Sequence, residues 1–150
     1  MTHEAGIEAY NNIKLNVVAK DKLLVMAYEH AIRFLKLAKV EQGKKNHYES
    51  FQLVLKSKKI IRELQNSLNM DIAEISVPLF RLYDYMNYKL NQVNVGLNIL
   101  QPIDEVIELL EGIKSAWEEA LKKESGNKSN SMDQPSVKVD TVSPQRVFSA

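Results

Sequence analysis

The sequence has no cysteine among its 150 residues, which excludes disulfides, thiol catalysis and cysteine-based zinc sites and fits a reducing compartment. No apolar run approaches the ~20 residues that span a bilayer, and the N-terminus lacks the basic-then-apolar pattern of a signal peptide. Neither sign of charge dominates, with 20 Lys and Arg against 19 Asp and Glu, which argues against an electrostatic nucleic-acid binder. We therefore expect a cytoplasmic protein without a membrane span or nucleic-acid partner.

Signatures of catalysis are also missing. The three histidines, His3, His30 and His47, do not share a metal-ligand spacing, and no Glu-x-x-His pair of a di-iron bundle occurs. The sequence has no glycine-rich phosphate loop and no G-x-S-x-G nucleophile motif. We therefore predict no enzyme activity, no bound metal and no cofactor.

Apolar residues recur every three or four positions in four segments, which predicts four helices. Asp21 is expected to cap the first long helix, Gly43 to end it and Gly96 to end the third. The predicted ranges are 21–43, 47–69, 72–95 (or 78–95, because Pro78 suits a first turn) and 102–123. Short loops between them predict an all-α fold, an antiparallel four-helix bundle over residues 21–123.

The same periodicity predicts which side chains face the core. For the second helix the predicted stripe is Tyr48, Phe51, Leu55, Ile61, Leu64 and Leu68. For the third it is Leu79, Leu82, Tyr83, Met86, Leu90, Val93 and Leu97, and the fourth contributes Trp117 and its neighbours at helical spacing.

The two ends of the chain differ from the bundle. Residues 1–20 predict a short helical cap segment, with Ile7, Tyr10 and Ile13 outside the four-helix pattern. Residues 124–150 lack apolar periodicity and predict a flexible, disordered tail. One alternative stays open, that a sparse apolar set in this tail docks as a linear motif: Val137, Val139, Val142 and Phe148.

Two helices carry more apolar surface than one core can cover. The first is the segment 23–38, and the second is the third helix, with Phe80, Leu82, Tyr83, Tyr85, Met86 and Tyr88. A surface helix of a small domain has one apolar stripe. The surplus predicts a partner-binding surface or self-association.

Several segments resemble the FliS family of flagellar secretion chaperones, over roughly residues 5–121. The order of the matching pieces is Ala9-Tyr10, then Tyr28 followed by Ala31-Ile32, then residues 79–87, which are similar to the family's Leu-Tyr-Asp-Tyr-Met region. Residues 107–110, followed by Ala116-Trp117, are similar to its closing helix.

The resemblance implies a chaperone that binds the disordered C-terminal segment of flagellin, prevents its premature polymerisation and aids its delivery to the flagellar type III export apparatus. Export-gate and co-chaperone proteins are implied as further partners, and the chaperone is expected to be a monomer or weak dimer. Helix-in-groove recognition suits such a client. The expected contact residues are Ile7, Tyr10, Ile13, Leu24, Tyr28, Tyr83, Tyr85, Met86, Leu90 and Val93.

Two further hypotheses accompany this interpretation. The cap segment is expected to cover the client groove in the free protein and to be displaced on binding, the alternative being a segment packed permanently in the core. The competing function is a helical signalling or adaptor module, with phosphotransfer on His30 as its concrete form. Phosphotransfer domains usually follow the histidine with Lys-Gly on a polar face, whereas Ala31-Ile32 follows here.

Overall fold

The computed structural model of the protein describes residues 2–127 and 147–148, with side chains at 21–124 and 147–148. Its four helices are α1 (Thr2–Gly43), α2 (His47–Asn66), α3 (Ala73–Asn91) and α4 (Gln101–Asn127). The described residues contain two isolated β-bridges and no strand. The predicted all-α bundle is therefore confirmed.

Hydrogen bonds between α1 and α2 show that these helices are antiparallel. The Ser50 hydroxyl donates to the carbonyl of Ala38 at 2.7 Å, and the Ser57 hydroxyl donates to that of Ala31 at 3.1 Å. Residue numbers thus rise on α2 as they fall on α1. All four residues are buried, and their small side chains let the two backbones approach closely.

The remaining helices complete a four-cornered arrangement in which α3 packs on α2 and α4 packs between α3 and α1. Lys36 pairs with Glu111 at 3.1 Å, and Glu29 pairs with Lys114 at 3.4 Å. These α1–α4 pairs are also antiparallel in register. Because they are largely solvent-exposed, they contribute little to stability.

The helix α1 is longer than predicted. It continues without interruption from Thr2, so Asp21 lies inside the helix and the prediction that it caps the helix start is wrong. The physical reason is the absence of a helix breaker, because residues 7–42 contain neither proline nor glycine. The end at Gly43 is confirmed. The side chains of Ile7, Tyr10 and Ile13 lie outside the described residues.

The turn between α2 and α3 comes earlier than predicted. The helix α2 ends at Asn66 rather than at Asn69. The Asp71 amide donates to the side-chain oxygen of Asn69 at 3.1 Å, which is the local bonding that asparagine offers in turns. Of the two predicted starts for α3, the earlier is confirmed, and Pro78 lies inside the helix.

The ends of α3 and α4 also differ from the predicted ones. Asn94 and Ile99 exchange backbone hydrogen bonds of 3.1 and 2.9 Å, which closes a loop and ends α3 at Asn91 rather than at Val95. Leu97, predicted to lie in the core, is therefore exposed at the loop tip. At the other end, α4 passes its predicted end and reaches Asn127.

Candidate partner-binding site

The core contains a hydrogen-bonded cluster of three aromatic side chains, one each from α1, α3 and α4. The Trp117 indole N–H donates to the Tyr28 hydroxyl at 3.1 Å, and the hydroxyls of Tyr28 and Tyr83 share a hydrogen bond. All three residues are buried. Tyrosine and tryptophan are tolerated in a core when their polar atoms find such partners, so this cluster fixes three helices together.

Burial also decides how these hydroxyls ionise. Desolvation raises the pKa of Tyr28 to about 12, while the hydrogen bonds from Tyr83 and Trp117 act in the opposite direction. Desolvation raises the pKa of Tyr83 further, since the neighbouring Tyr28 adds to the effect. Both phenols therefore stay neutral at physiological pH.

The structure divides the predicted contact residues by accessibility. Tyr28, Tyr83, Met86 and Leu90 lie in the core and offer no surface to a partner in this conformation. The three- and four-residue spacing that marked them is the spacing of the core stripe itself. Two others are half-buried at the core margin, Leu24 and Val93. Tyr85 is the described residue of this set that reaches the surface.

Large apolar side chains nevertheless form an exposed surface along α2 and α3. On α2, Phe51 and Leu55 lie on the same side as Lys58, at helical spacings of three, four and seven residues. Lys58 hydrogen-bonds to Asn91 of α3, so this side of α2 borders α3. The exposed members of this surface, hereafter the α2/α3 face, are Tyr48, Phe51, Leu55, Phe80 and Tyr88.

The α3 residues of this face lie next to the contact between α2 and α3. Gln65 of α2 donates to the backbone carbonyl of Phe80 at 3.2 Å and to the Asp84 carboxylate at 3.4 Å. Tyr88 lies one turn beyond Asp84 and is 59% exposed. The Phe80 and Tyr88 rings therefore stand beside the α2 seam and not in the core.

The loop between α3 and α4 extends this surface toward the α1–α2 turn. The side-chain amide of Gln42 donates to the backbone carbonyl of Val95 at 2.6 Å, and its oxygen Oε1 lies 2.9 Å from Nδ1 of His47. The loop is thereby held next to the start of α2, where Tyr48 is 76% exposed. Leu97 at the loop tip adds one more uncovered apolar side chain to this end.

Sequence reasoning placed the first half of the α2 stripe on the wrong side. Tyr48, Phe51 and Leu55 were predicted to be buried, yet the buried positions here are Ser50, Leu53, Val54 and Ser57. Large apolar side chains favour the core, whereas the hydrogen bonds to α1 are made by the small residues Ser50 and Ser57. The signal that could have shown this is the matching seven-residue spacing of Ser50 and Ser57 with that of Ala31 and Ala38.

A different environment surrounds Tyr85 at the α3–α4 edge. Its hydroxyl donates to the Glu105 carboxylate at 2.6 Å, and Lys89 lies 3.4 Å from the same carboxylate and over the Tyr85 ring. The hydrogen bond to Glu105 raises the pKa of Tyr85, and it also lowers the pKa of Glu105. Tyr85 is thus partnered by polar groups, unlike the members of the α2/α3 face.

The outer side of α1 is a second exposed surface, with Leu23, Met26 and Leu37 uncovered. His30 lies on this helix and is half-buried, with Nδ1 3.1 Å from the Arg33 guanidinium and its ring 6.2 Å from that of Phe34. This placement is typical of a histidine at the margin of an apolar face. It provides no observation that favours phosphotransfer.

Over the described residues, no cluster of His, Cys, Asp or Glu has the grouping needed to hold a metal ion. None of the helices, within that same part of the chain, is long and apolar enough to cross a bilayer. What the surface does offer is uncovered aromatic and aliphatic side chains. The fold and this surface define a helical binding scaffold.

Comparison with known proteins identifies the scaffold. The model of the family described as flagellar protein FliS matches residues 3–124. The chain is 28% identical over 116 residues to the flagellar secretion chaperone FliS of Bacillus subtilis (strain 168), covering 77% of this chain and 86% of that protein. It is 30% identical over 119 residues to the FliS of Vibrio cholerae serotype O1, covering 76% and 87%. The chain therefore belongs to the FliS family, and the predicted resemblance is confirmed.

Proposed function

We propose that this protein is a cytoplasmic export chaperone that binds the disordered C-terminal segment of flagellin, prevents its premature polymerisation and aids its delivery to the flagellar type III export apparatus. The observation that carries the proposal is the α2/α3 face, an uncovered apolar surface on a chain of a flagellar chaperone family. Its action is binding without catalysis. Export-gate and co-chaperone proteins are proposed as further partners.

The mode of recognition follows from the chemistry of this face. Phe51 and Leu55 present aliphatic and aromatic surface one turn apart, and the Tyr88 ring adds a polar hydroxyl at its edge. A client helix can lay its apolar side chains along such a surface. Because the client orders as it binds, its lost entropy offsets part of the contact energy, and a large apolar area must be covered.

Calorimetric titration of the full chain tests this proposal, with a peptide covering the disordered C-terminal segment of the host's flagellin. We expect saturable binding with a large negative heat-capacity change, the signature of apolar burial coupled to folding. Absence of binding by the folded protein would refute the flagellin proposal.

A pair of matched variants locates the surface. The double variant Phe51→Ala/Tyr88→Ala removes two exposed rings from the α2/α3 face. We expect it to weaken flagellin-peptide binding about tenfold or more, which corresponds to about 1.4 kcal/mol of binding free energy or more. Leu37→Ala is the control, because Leu37 is comparably exposed on the outer side of α1. If Leu37→Ala has the larger effect, the client binds α1 and the function stands with a different surface.

The N-terminal segment has its own test. We propose, as the sequence predicts, that residues 1–20 act as a displaceable cap through Ile7, Tyr10 and Ile13. Deletion of residues 2–16 removes a competitor for the groove, so client affinity should rise while the helical signal of the bundle persists. A deletion that unfolds the bundle and weakens binding would instead show that the segment is part of the core.

A further inference from the structure

Two residues near the end of the chain are packed against the bundle, far in sequence from the helices they contact. Val147 is fully buried in the hydrophobic core. The Asn69 amide donates to the Val147 carbonyl, and Phe148 forms an antiparallel bridge with Leu68. The contact therefore combines backbone pairing with a buried apolar side chain.

Phe148 supplies the second anchor. Its ring meets Trp117 edge-on, with centroids 5.7 Å apart and planes at 71°, the arrangement that aromatic pairs prefer. Trp117 is itself bonded to Tyr28. The Val147–Phe148 pair thus lies at one end of the aromatic cluster, between the α2–α3 turn and α4.

This contact has two features that peptide-binding sites use, a backbone hydrogen bond to the receptor and apolar side chains set against its core. Here the backbone partner is Leu68–Asn69, the Val147 side chain lies in the core, and the Phe148 ring lies against that of Trp117. Of the four apolar residues that could form a docking motif in the tail, Phe148 is therefore placed, and Val137, Val139 and Val142 lie outside the described residues.

From these contacts we infer that the end of the bundle carries a docking site for a short apolar segment, and that Val147–Phe148 fills this site as a ligand built into the chain. The pocket uses only backbone pairing and two apolar side chains, so it contains no group that restricts it to this chain's own segment. The client and Val147–Phe148 then compete for it. This second step rests on the proposed function, whereas the docking site itself does not.

Trp117 makes the docking site measurable, because it is the single tryptophan of the sequence. In the full-length double variant Val147→Asp/Phe148→Ala, the Trp117 indole should become more exposed to water. Its fluorescence emission should therefore shift to longer wavelength. Adding the peptide Ser-Pro-Gln-Arg-Val-Phe-Ser-Ala, the sequence of residues 143–150, should reverse the shift with saturation. The same peptide with Asp and Ala in place of the valine and phenylalanine is the matched control.

Each outcome decides one part of the inference. Failure of the native peptide to restore the emission of the folded double variant would overturn the docking site. If the double variant unfolds, the milder Phe148→Leu variant replaces it and should give a smaller shift that the native peptide reverses. For competition, we expect the double variant to bind the flagellin peptide several-fold more tightly than the wild type. Equal affinity would overturn competition and leave the docking site intact. If neither protein binds flagellin while the native octapeptide binds, the proposed function fails and the docking site stands.

Discussion

The aromatic cluster and the α2/α3 face place the same residue types in opposite environments. In the cluster, Tyr28 and Tyr83 are buried, and their hydroxyls are hydrogen-bonded to each other, with Trp117 bonded to Tyr28 as well. On the α2/α3 face, Tyr48 and Tyr88 expose most of their surface. The comparison shows that the two core tyrosines, Tyr28 and Tyr83, each have a buried hydrogen-bond partner on another helix.

The largest expected effect tests the structural half of this comparison. Tyr83→Ala removes a fully buried ring and leaves a cavity, so it should lower the free energy of unfolding by about 3–5 kcal/mol. Tyr88→Ala is the control on the same helix and should leave the urea unfolding midpoint nearly unchanged. Equal losses from both variants would show that the α2/α3 face also belongs to the folding core.

High pH should break the cluster and spare the face. The folded-state pKa of Tyr28 is about 12 against an ordinary value of 10.0, so the unfolded state loses this proton first. The contribution of the neutral Tyr28 hydroxyl to the free energy of unfolding is fully present below pH 10. It is lost as the pH rises toward 12, by up to about 1.4 kcal/mol per pH unit. Urea unfolding between pH 9 and pH 12 measures this slope, and Tyr28→Phe should reduce it. An unchanged slope in Tyr28→Phe would show that Tyr28 does not cause the loss of stability at high pH.

Removing single hydroxyls sharpens the picture inside the cluster. Tyr28→Phe strands both the Trp117 N–H and the Tyr83 hydroxyl, so we expect a loss of about 1–3 kcal/mol in unfolding free energy. Tyr83→Phe leaves the Trp117–Tyr28 bond in place and should cost less, about 1 kcal/mol. Chemical denaturation of both variants measures the order, and the reverse order would show that Tyr83 is the central member.

The smallest expected effect separates the two edges of α3. Tyr85 is bonded to Glu105 at the α3–α4 edge, whereas Tyr88 belongs to the α2/α3 face. Tyr88→Ala should therefore weaken flagellin-peptide binding several-fold, and Tyr85→Ala should change it by less. Calorimetry measures both affinities. A larger loss from Tyr85→Ala would move the client surface to the α3–α4 edge and favour the predicted contact role of Tyr85.

Helical periodicity was sufficient to predict the number of helices and the burial of Trp117, because both depend on local spacing. The same spacing was insufficient to predict the role of Met86 or Leu90, since a stripe at three- and four-residue steps does not say whether it faces a helix or a client. Burial of these residues depends on how α3 packs against the other helices, and this contact is not encoded in α3 alone.

On α2 the spacing predicts burial for large side chains that the structure leaves exposed. Phe51 and Leu55 are large and apolar, which favours the core, but the α2 residues that bond to Ala31 and Ala38 of α1 are Ser57 and Ser50. Placement of Val147 and Phe148 likewise depends on a pocket made by two distant segments. Sequence spacing could suggest a docking motif near the end of the chain, but could not show where it binds.

The serine–alanine contact between α1 and α2 has a consequence for how the protein is made. These helices are joined by the few residues between Gly43 and His47, so their contacts are close in sequence, and local contacts form quickly. The α1–α2 hairpin is also the first part of the bundle to leave the ribosome. We expect it to form during synthesis, before α4 supplies Trp117, so that assembly of the aromatic cluster marks the closing of the four-helix bundle.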